Sequence, residues 1–253
     1  MNTGFGTSHF TRLGLATLVA ALFLVPMSAQ AQSGNPPSNS VGNTATGANA
    51  LANNSIGNNT IGSYNTADGD HSLFNNRGSN NTAVGYATLY LNQGGRNNTA
   101  TGFSALFNNN TGNNNTAMGY LALYSSDSVA NTALGAFALY SNTSGQGNTA
   151  SGYQALQLNT NGGLNTASGY NALEWNTTGA GNTATGSNSL TRNTDGINNT
   201  ANGAYALNAN TGSYNTATGY QALNANTGIY NTANGVFALG GNTTGNRNVA
   251  DGA

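Results

Sequence analysis

The strongest constraint on this chain is a five-residue phrase, Asn-Thr-Ala-x-Gly, that recurs at a nearly fixed interval. Its Asn falls at 43, 65, 81, 98, 115, 131, 148, 165, 182, 199, 215 and 231, with a variant at Asn248-Val249-Ala250-Asp251-Gly252, and nearly every interval is 16 or 17 residues. A unit this short cannot bury an apolar face alone, so successive copies must stack and share one core. With the Asn as position 0, position +2 is Ala and +4 is Gly in every copy, and +7 is always Ala, Ser or Thr. Position +8 is Leu in all twelve complete copies: Leu51, Leu73, Leu89, Leu106, Leu123, Leu139, Leu156, Leu173, Leu190, Leu207, Leu223 and Leu239.

Thr-Ala-x-Gly predicts a short strand with Ala facing inward, and Ala-Leu predicts a second strand whose Leu forms the structural core ladder. The second half of each copy carries a turn signal such as Asn176-Thr177-Thr178-Gly179 or Asn210-Thr211-Gly212, and the 16- and 17-residue copies differ there by one residue before the Gly. A turn tolerates such an indel and a strand does not. Frequent Gly and Asn-Thr pairs disfavour helix, and a disordered chain has no reason to repeat Leu at one position. The expected fold is all-β: a parallel β-roll, or β-solenoid, of 16–17-residue coils over 43–253, about thirteen of them, forming a stack on the order of 60 Å long. Stacking also predicts ladders of identical residues, with Asn amides hydrogen-bonding along the stack.

Composition narrows the function. Charged residues are 4% of the chain and Lys is absent. Beyond the N-terminal segment only Arg77, Arg96, Arg192 and Arg247 are basic, too little charge to attract nucleic acid or an anionic membrane. Residues 1–31 read as a signal peptide: Arg12 precedes the apolar run Leu13 to Val25, and Ala29-Gln30-Ala31 offers a small-x-small cleavage site. Residues 32–42 read as a linker. Export to the cell surface or medium is expected, with no membrane span in the mature chain and, since Cys is absent, no disulfides.

The chain holds no constellation for catalysis. His71 is the sole His after the leader, and no Cys is present to build a nucleophile–base pair or zinc site. Asp68-Gly69-Asp70-His71 resembles a metal-binding cluster in composition, but Asp68 and Asp70 occupy the variable +3 and +5 positions of one divergent copy. The Gly-rich stretches lack the following helix and the Lys of a phosphate loop. No enzyme activity, cofactor or metal is expected.

The variable positions are more informative. Position +9 is aromatic in five consecutive copies, Phe74, Tyr90, Phe107, Tyr124 and Tyr140, and then becomes Gln157, Glu174, Thr191 and Asn208. Strand alternation with Leu inward sends this candidate contact stripe outward, either onto a ligand or onto a neighbouring protomer. Position +5 is aromatic at Tyr86, Phe103, Tyr120, Tyr153, Tyr170 and Tyr220, and where it is small, +6 supplies Phe137, Tyr205 or Phe237; core or interface filling is the expected role. Position +1 is a Thr row, and Thr-x-Thr recurs at Thr44/Thr46, Thr99/Thr101, Thr183/Thr185 and Thr216/Thr218. That pattern suits ice binding, although Asp68, Val84, Met118 and Leu134 interrupt the second column. One Leu, two small residues and usually one ring per coil form a thin core, which predicts a homotrimer.

The run Asn165-Thr166-Ala167-Ser168-Gly169-Tyr170-Asn171-Ala172-Leu173 resembles the head repeats of YadA-like trimeric autotransporter adhesins, and similar repeats occur in bacterial and phage fibre proteins. The resemblance covers 43–253 and implies a trimer of left-handed parallel β-rolls that holds host-matrix proteins or host cell surfaces; an abiotic surface is a further candidate ligand. These copies are longer than is common in that family, and neither a heptad stalk nor C-terminal membrane strands are read here, so anchoring is expected from a separate partner or a missing segment. The expected function is attachment, with an architectural spacer or matrix fibre as the alternative and an ice-binding solenoid behind both.

Overall fold

The computed structural model describes residues 42–52 and 62–252, all within one compact unit spanning Ala31–Ala253. The leader 1–31, and all of the linker except Gly42, lie outside the described residues. Strands occur at β1 (Thr44–Thr46), β2 (Thr66–Asp68), β3 (Asn75–Asn76), β4 (Thr82–Val84), β5 (Leu91–Asn92), β6 (Thr99–Thr101), β7 (Thr116–Met118), β8 (Thr132–Leu134), β9 (Thr149–Ser151), β10 (Thr166–Ser168), β11 (Thr183–Thr185), β12 (Thr200–Asn202), β13 (Thr216–Thr218), β14 (Thr232–Asn234) and β15 (Val249–Asp251). All but β3 and β5 form one 13-stranded sheet in chain order. Every pairing is parallel, and within the 13-stranded sheet each places Thr beside Thr and Ala beside Ala, up to the last rung, where Thr232 meets Val249. The described fold is a parallel β-solenoid.

The Ala-Leu segment departs from expectation. It forms a turn, with position +6 at φ of 50–59° and the Leu at 48–54° in every coil. Left-handed backbone costs a non-glycine residue roughly 1 kcal/mol or more. Two effects offset that cost here. The Leu amide still bonds to the next coil, as in Leu106 N–H to Ala122 O at 3.0 Å, and the turn drops each Leu side chain into the interior. From Leu73 to Leu223 the ladder is fully buried, while Leu51 and Leu239, nearer the two ends of the stack, are partly covered.

The Gly at +4 follows from stacking. It holds φ between 107° and 144°, and a Cβ there would sit 2.3–2.9 Å from the carbonyl of the equivalent Gly in the next coil. No side chain fits both constraints.

Half of the interior is polar. The Asn at position 0 is buried from Asn65 to Asn231, and its Oδ1 accepts the backbone N–H of the Asn one coil later, at 2.8–3.0 Å throughout. A second buried column stands at +11, running Asn76, Asn92, Asn109, then Asn142 through Asn226. Its amides bond rung to rung, as in Asn159 Nδ2 to Asn142 Oδ1 at 2.7 Å and Asn176 Nδ2 to Asn159 Oδ1 at 2.7 Å. Both columns also donate to the carbonyl of the Gly three residues before the next repeat: Gly162 O accepts from Asn148 and Asn159, each at 2.9 Å. The +11 Asn reaches that carbonyl across two residues in short coils and three in long ones. One side-chain clamp thereby accommodates both coil lengths, and the indel lies between its ends.

These columns correct the expected core. Apart from the coil beginning at Asn115, where Ser126 stands in the second column, the coils from Asn65 to Asn215 each bury Ala, a small residue, Leu and two Asn, and the aromatic residues stay outside. Buried amides cost little when every group is paired, so the thin-core argument for a trimer loses its premise.

Candidate binding surfaces

Among the described residues no three His, Cys, Asp or Glu side chains gather into a metal site. Asp68 accepts a hydrogen bond from the Thr46 hydroxyl, and Asp70 Oδ1 lies 2.7 Å from His71 Nδ1 without hydrogen-bond geometry. No helix of the described residues is long and apolar enough to cross a membrane. The surface features that distinguish one coil from another are its side-chain columns.

The five residues of the candidate contact stripe form a continuous ladder. Ring centroids from Phe74 through Tyr90, Phe107 and Tyr124 to Tyr140 are 4.9–5.3 Å apart, with planes within 16° of parallel. Each ring is half-buried because its faces are covered by the rings above and below, leaving an outer edge of ring rims and three phenol groups. The stripe's outward aim comes from the left-handed turn, not from strand alternation.

A second ladder runs beside it. Tyr86, Phe103 and Tyr120 stack at 5.1 and 5.4 Å, Phe137 continues them edge-on at 5.3 Å, and Tyr153 and Tyr170 extend the series. Core filling is excluded for the +5 rings, since Tyr86, Phe103, Tyr120, Tyr153, Tyr170 and Tyr220 are 43–52% exposed. Phe137 does complete the ladder where position +5 is Ala136, and it also meets Tyr140 at 6.0 Å. At the other end His71 lies 5.2 Å from Phe74 and 6.1 Å from both Tyr86 and Tyr90. The two ladders are therefore joined by His71 at one end and by Phe137 four coils on. Between the joins position +6 is Ala87, Ser104 and Leu121, none of them aromatic. Reading the columns singly misses these joins, because the residues involved occupy different repeat positions.

The sheet face has two outward columns, at +1 and +3. Val84, Met118 and Leu134 stand exposed at +3, and the Thr on the same strands, Thr82, Thr116 and Thr132, are half-buried beside them. From β9 to β14 the +3 residues are Ser151, Ser168, Thr185, Asn202, Thr218 and Asn234, and every +1 Thr is exposed.

Comparison with protein-family models, curated proteins and solved structures finds no match. The class of this protein accordingly rests on its own geometry, a parallel β-solenoid with two asparagine ladders inside and aromatic ladders outside.

Proposed function

We propose that this protein is an exported surface or secreted fibre component that mediates attachment to other surfaces. The observation that carries the reading is the joined pair of aromatic ladders. Eleven rings, held in fixed stacks on a hydrogen-bonded scaffold, present a nearly uncharged strip that has already lost its conformational entropy. Such preorganised aromatic surface binds at low ordering cost, and contiguous exposed apolar surface marks interaction sites. The exposed part of the strip is on the order of 800 Å², taking ~200 Å² per ring, comparable with the roughly 800 Å² each partner contributes to a standard interface.

Homotrimer formation belongs to the same proposal, supported by the resemblance to adhesin heads. The test replaces Tyr90, Tyr124 and Tyr140 by Ser, then measures adsorption to collagen-coated and bare polystyrene surfaces alongside mass by sedimentation equilibrium. Attachment through the strip predicts adsorption falling by about tenfold or more, as expected for loss of aromatic anchors, with the assembly state unchanged. Loss of the trimer with unchanged adsorption by the resulting monomer would assign the strip to the protomer interface alone. Unchanged adsorption and unchanged mass would overturn the proposal.

A further inference from the structure

The sheet face offers a chemically separate surface. Over β9 to β14 it carries two columns of short uncharged side chains, Thr at +1 and Ser, Thr or Asn at +3, with no Asp, Glu, Lys or Arg on either column. The strands pair without any shift in register. Side chains therefore repeat about every 4.8 Å along the stack, and the columns stand about 6.6 Å apart across it. The underlying backbone is pinned by the ladder beginning one residue before each Thr, where Asn165 N–H donates to Asn148 Oδ1 at 3.0 Å and Asn182 N–H to Asn165 Oδ1 at 2.9 Å.

The hydroxyls on this face also differ in use from others in the molecule. In the turns, Thr160 donates to Thr177 O at 3.0 Å and Thr177 to Thr194 O at 2.9 Å, so the fold consumes those hydroxyls. The hydroxyls of Thr149, Thr166, Thr183, Thr200, Thr216 and Thr232 bond to no protein group. Strand propensity explains a β-branched residue there but not the hydroxyl. Val249 shows that the column accepts Val, and it does so once in thirteen strands.

We infer that the sheet face from Thr149 to Asn234 binds the surface of crystalline ice. Ice offers no charge to pair with and no cleft to enter. A surface that binds it must hold water in a lattice-like arrangement, which requires rigid, regularly spaced hydrogen-bonding groups set among methyls. Both spacings are fixed by the stack, so the face repeats in two directions, as a lattice-matching surface must. Ionic side chains would impose hydration shells of their own, and these columns have none. A rigid array also avoids most of the ordering cost of adsorption. The bulky Val84, Met118 and Leu134 confine the surface to the later coils.

The test uses the purified mature chain in thermal-hysteresis and ice-shaping measurements at micromolar to millimolar protein. The wild type should depress the freezing point relative to the melting point and facet ice crystals. Thr183→Lys with Thr200→Lys should abolish both effects, and Thr183→Val with Thr200→Val, which keeps the strand shape, should weaken them. Thr116→Lys, beside Met118, should leave them intact. Absence of hysteresis and faceting in the wild type overturns the inference, as does full activity in the double Lys variant with an unchanged circular dichroism spectrum. Loss in Thr116→Lys as severe as in the double Lys variant overturns the assignment to the later coils.

Discussion

The coils from Asn65 to Gly147 and those from Asn148 to Arg247 share one interior and wear different exteriors. Inside, Ala, Leu and two Asn recur in both regions with the same bonds. Outside, the earlier coils carry the whole +9 ladder, both of its joins to the +5 ladder and the exposed Val84, Met118 and Leu134, whereas the later ones keep only the +5 rings Tyr153 and Tyr170 of that joined pair and replace the +9 rings by Gln157, Glu174, Thr191 and Asn208 and the +3 apolar residues by Ser, Thr and Asn. Each interior column must match the coil above and below, so a change at one rung is felt at two others. An exterior residue answers only to solvent and to whatever the protein meets. The difference between the regions is therefore the place to look for function, and their shared interior is the control.

That comparison breaks first if the interiors are not equivalent. Leu106→Ala and Leu173→Ala each empty a fully buried site and should each cost about 3 kcal/mol, read as equal losses in urea midpoint followed by circular dichroism. A difference above about 1 kcal/mol, beyond the additivity error of independent sites, would mean the two regions are packed differently. The polar column is next. Asn165→Ala removes the acceptor for the Asn182 N–H and the donor to Gly179 O, and leaving buried groups unpaired should cost about 2–3 kcal/mol. Hydrogen exchange should locate the loss at Asn182, whose amide becomes fast-exchanging.

One coil sharpens the rule by departing from it. In the coil beginning at Asn115, Ser126 stands in the +11 column and Ser128 replaces the usual Gly. In the long coils a Cβ on that Gly would lie 2.3–2.5 Å from the coil's own Asn Oδ1, as at Gly112 and Gly162, whereas in the short coils, of which this is one, it would lie 1.7–2.0 Å from the carbonyl of the next coil's Gly, as at Gly78, Gly212 and Gly228. The two serines act as a pair, with the Ser126 hydroxyl 3.0 Å from that of Ser128, so an Asn at 126 would crowd the Ser128 side chain. The Ser128 hydroxyl repairs the ladder, accepting from Asn131 Nδ2 at 2.8 Å and Asn142 Nδ2 at 2.9 Å. Asp127 adds its own repair by accepting from Gly112 N–H at 3.1 Å. Ser126→Asn alone should destabilise by about 1–2 kcal/mol through overpacking, and adding Ser128→Gly should recover that loss. Thermal melts of the single and double variants check the coupling, and additive effects would dismiss it.

The repeat made the stacking, the parallel register, the Leu ladder and the placement of the indel legible in the sequence. The same repeat misled where one residue type serves two roles. Asn before Thr-x-Gly reads as turn chemistry, but Asn159 and Asn176 are core residues whose amides span the turn. The available signal was that Asn stays three residues after Leu whatever the coil length. Alternation predicted a strand through Ala-Leu, and the observed turn needs left-handed Leu, a conformation propensity disfavours and stacking imposes. The rings at +5 were expected to fill the core or an interface, and the core half of that reading fails because sequence records apolarity and not direction. For the candidate surfaces, the five-ring stripe was readable as a column, but its joins through His71 and Phe137 depend on neighbouring coils.

The smallest effect on stability sharpens the comparison most. Val84→Thr, Met118→Thr and Leu134→Thr convert the bulky second column of the earlier coils toward that of the later ones. All three residues are exposed on strands that already carry Thr at +1, so the combined change should stay within about 0.5 kcal/mol, the usual limit for surface substitutions. A cost well above that would show that these side chains cover something the later coils do without, and the shared-interior argument would fail in those coils. If stability holds, the uninterrupted uncharged face grows from β9–β14 back to β4, and Thr82, Thr116 and Thr132 become as exposed as their later counterparts. Thermal hysteresis should then rise above that of the wild type while adsorption through the aromatic strip stays unchanged, since the rings lie on different columns. No rise in thermal hysteresis, at undiminished stability, would separate the exterior difference from any function of the sheet face.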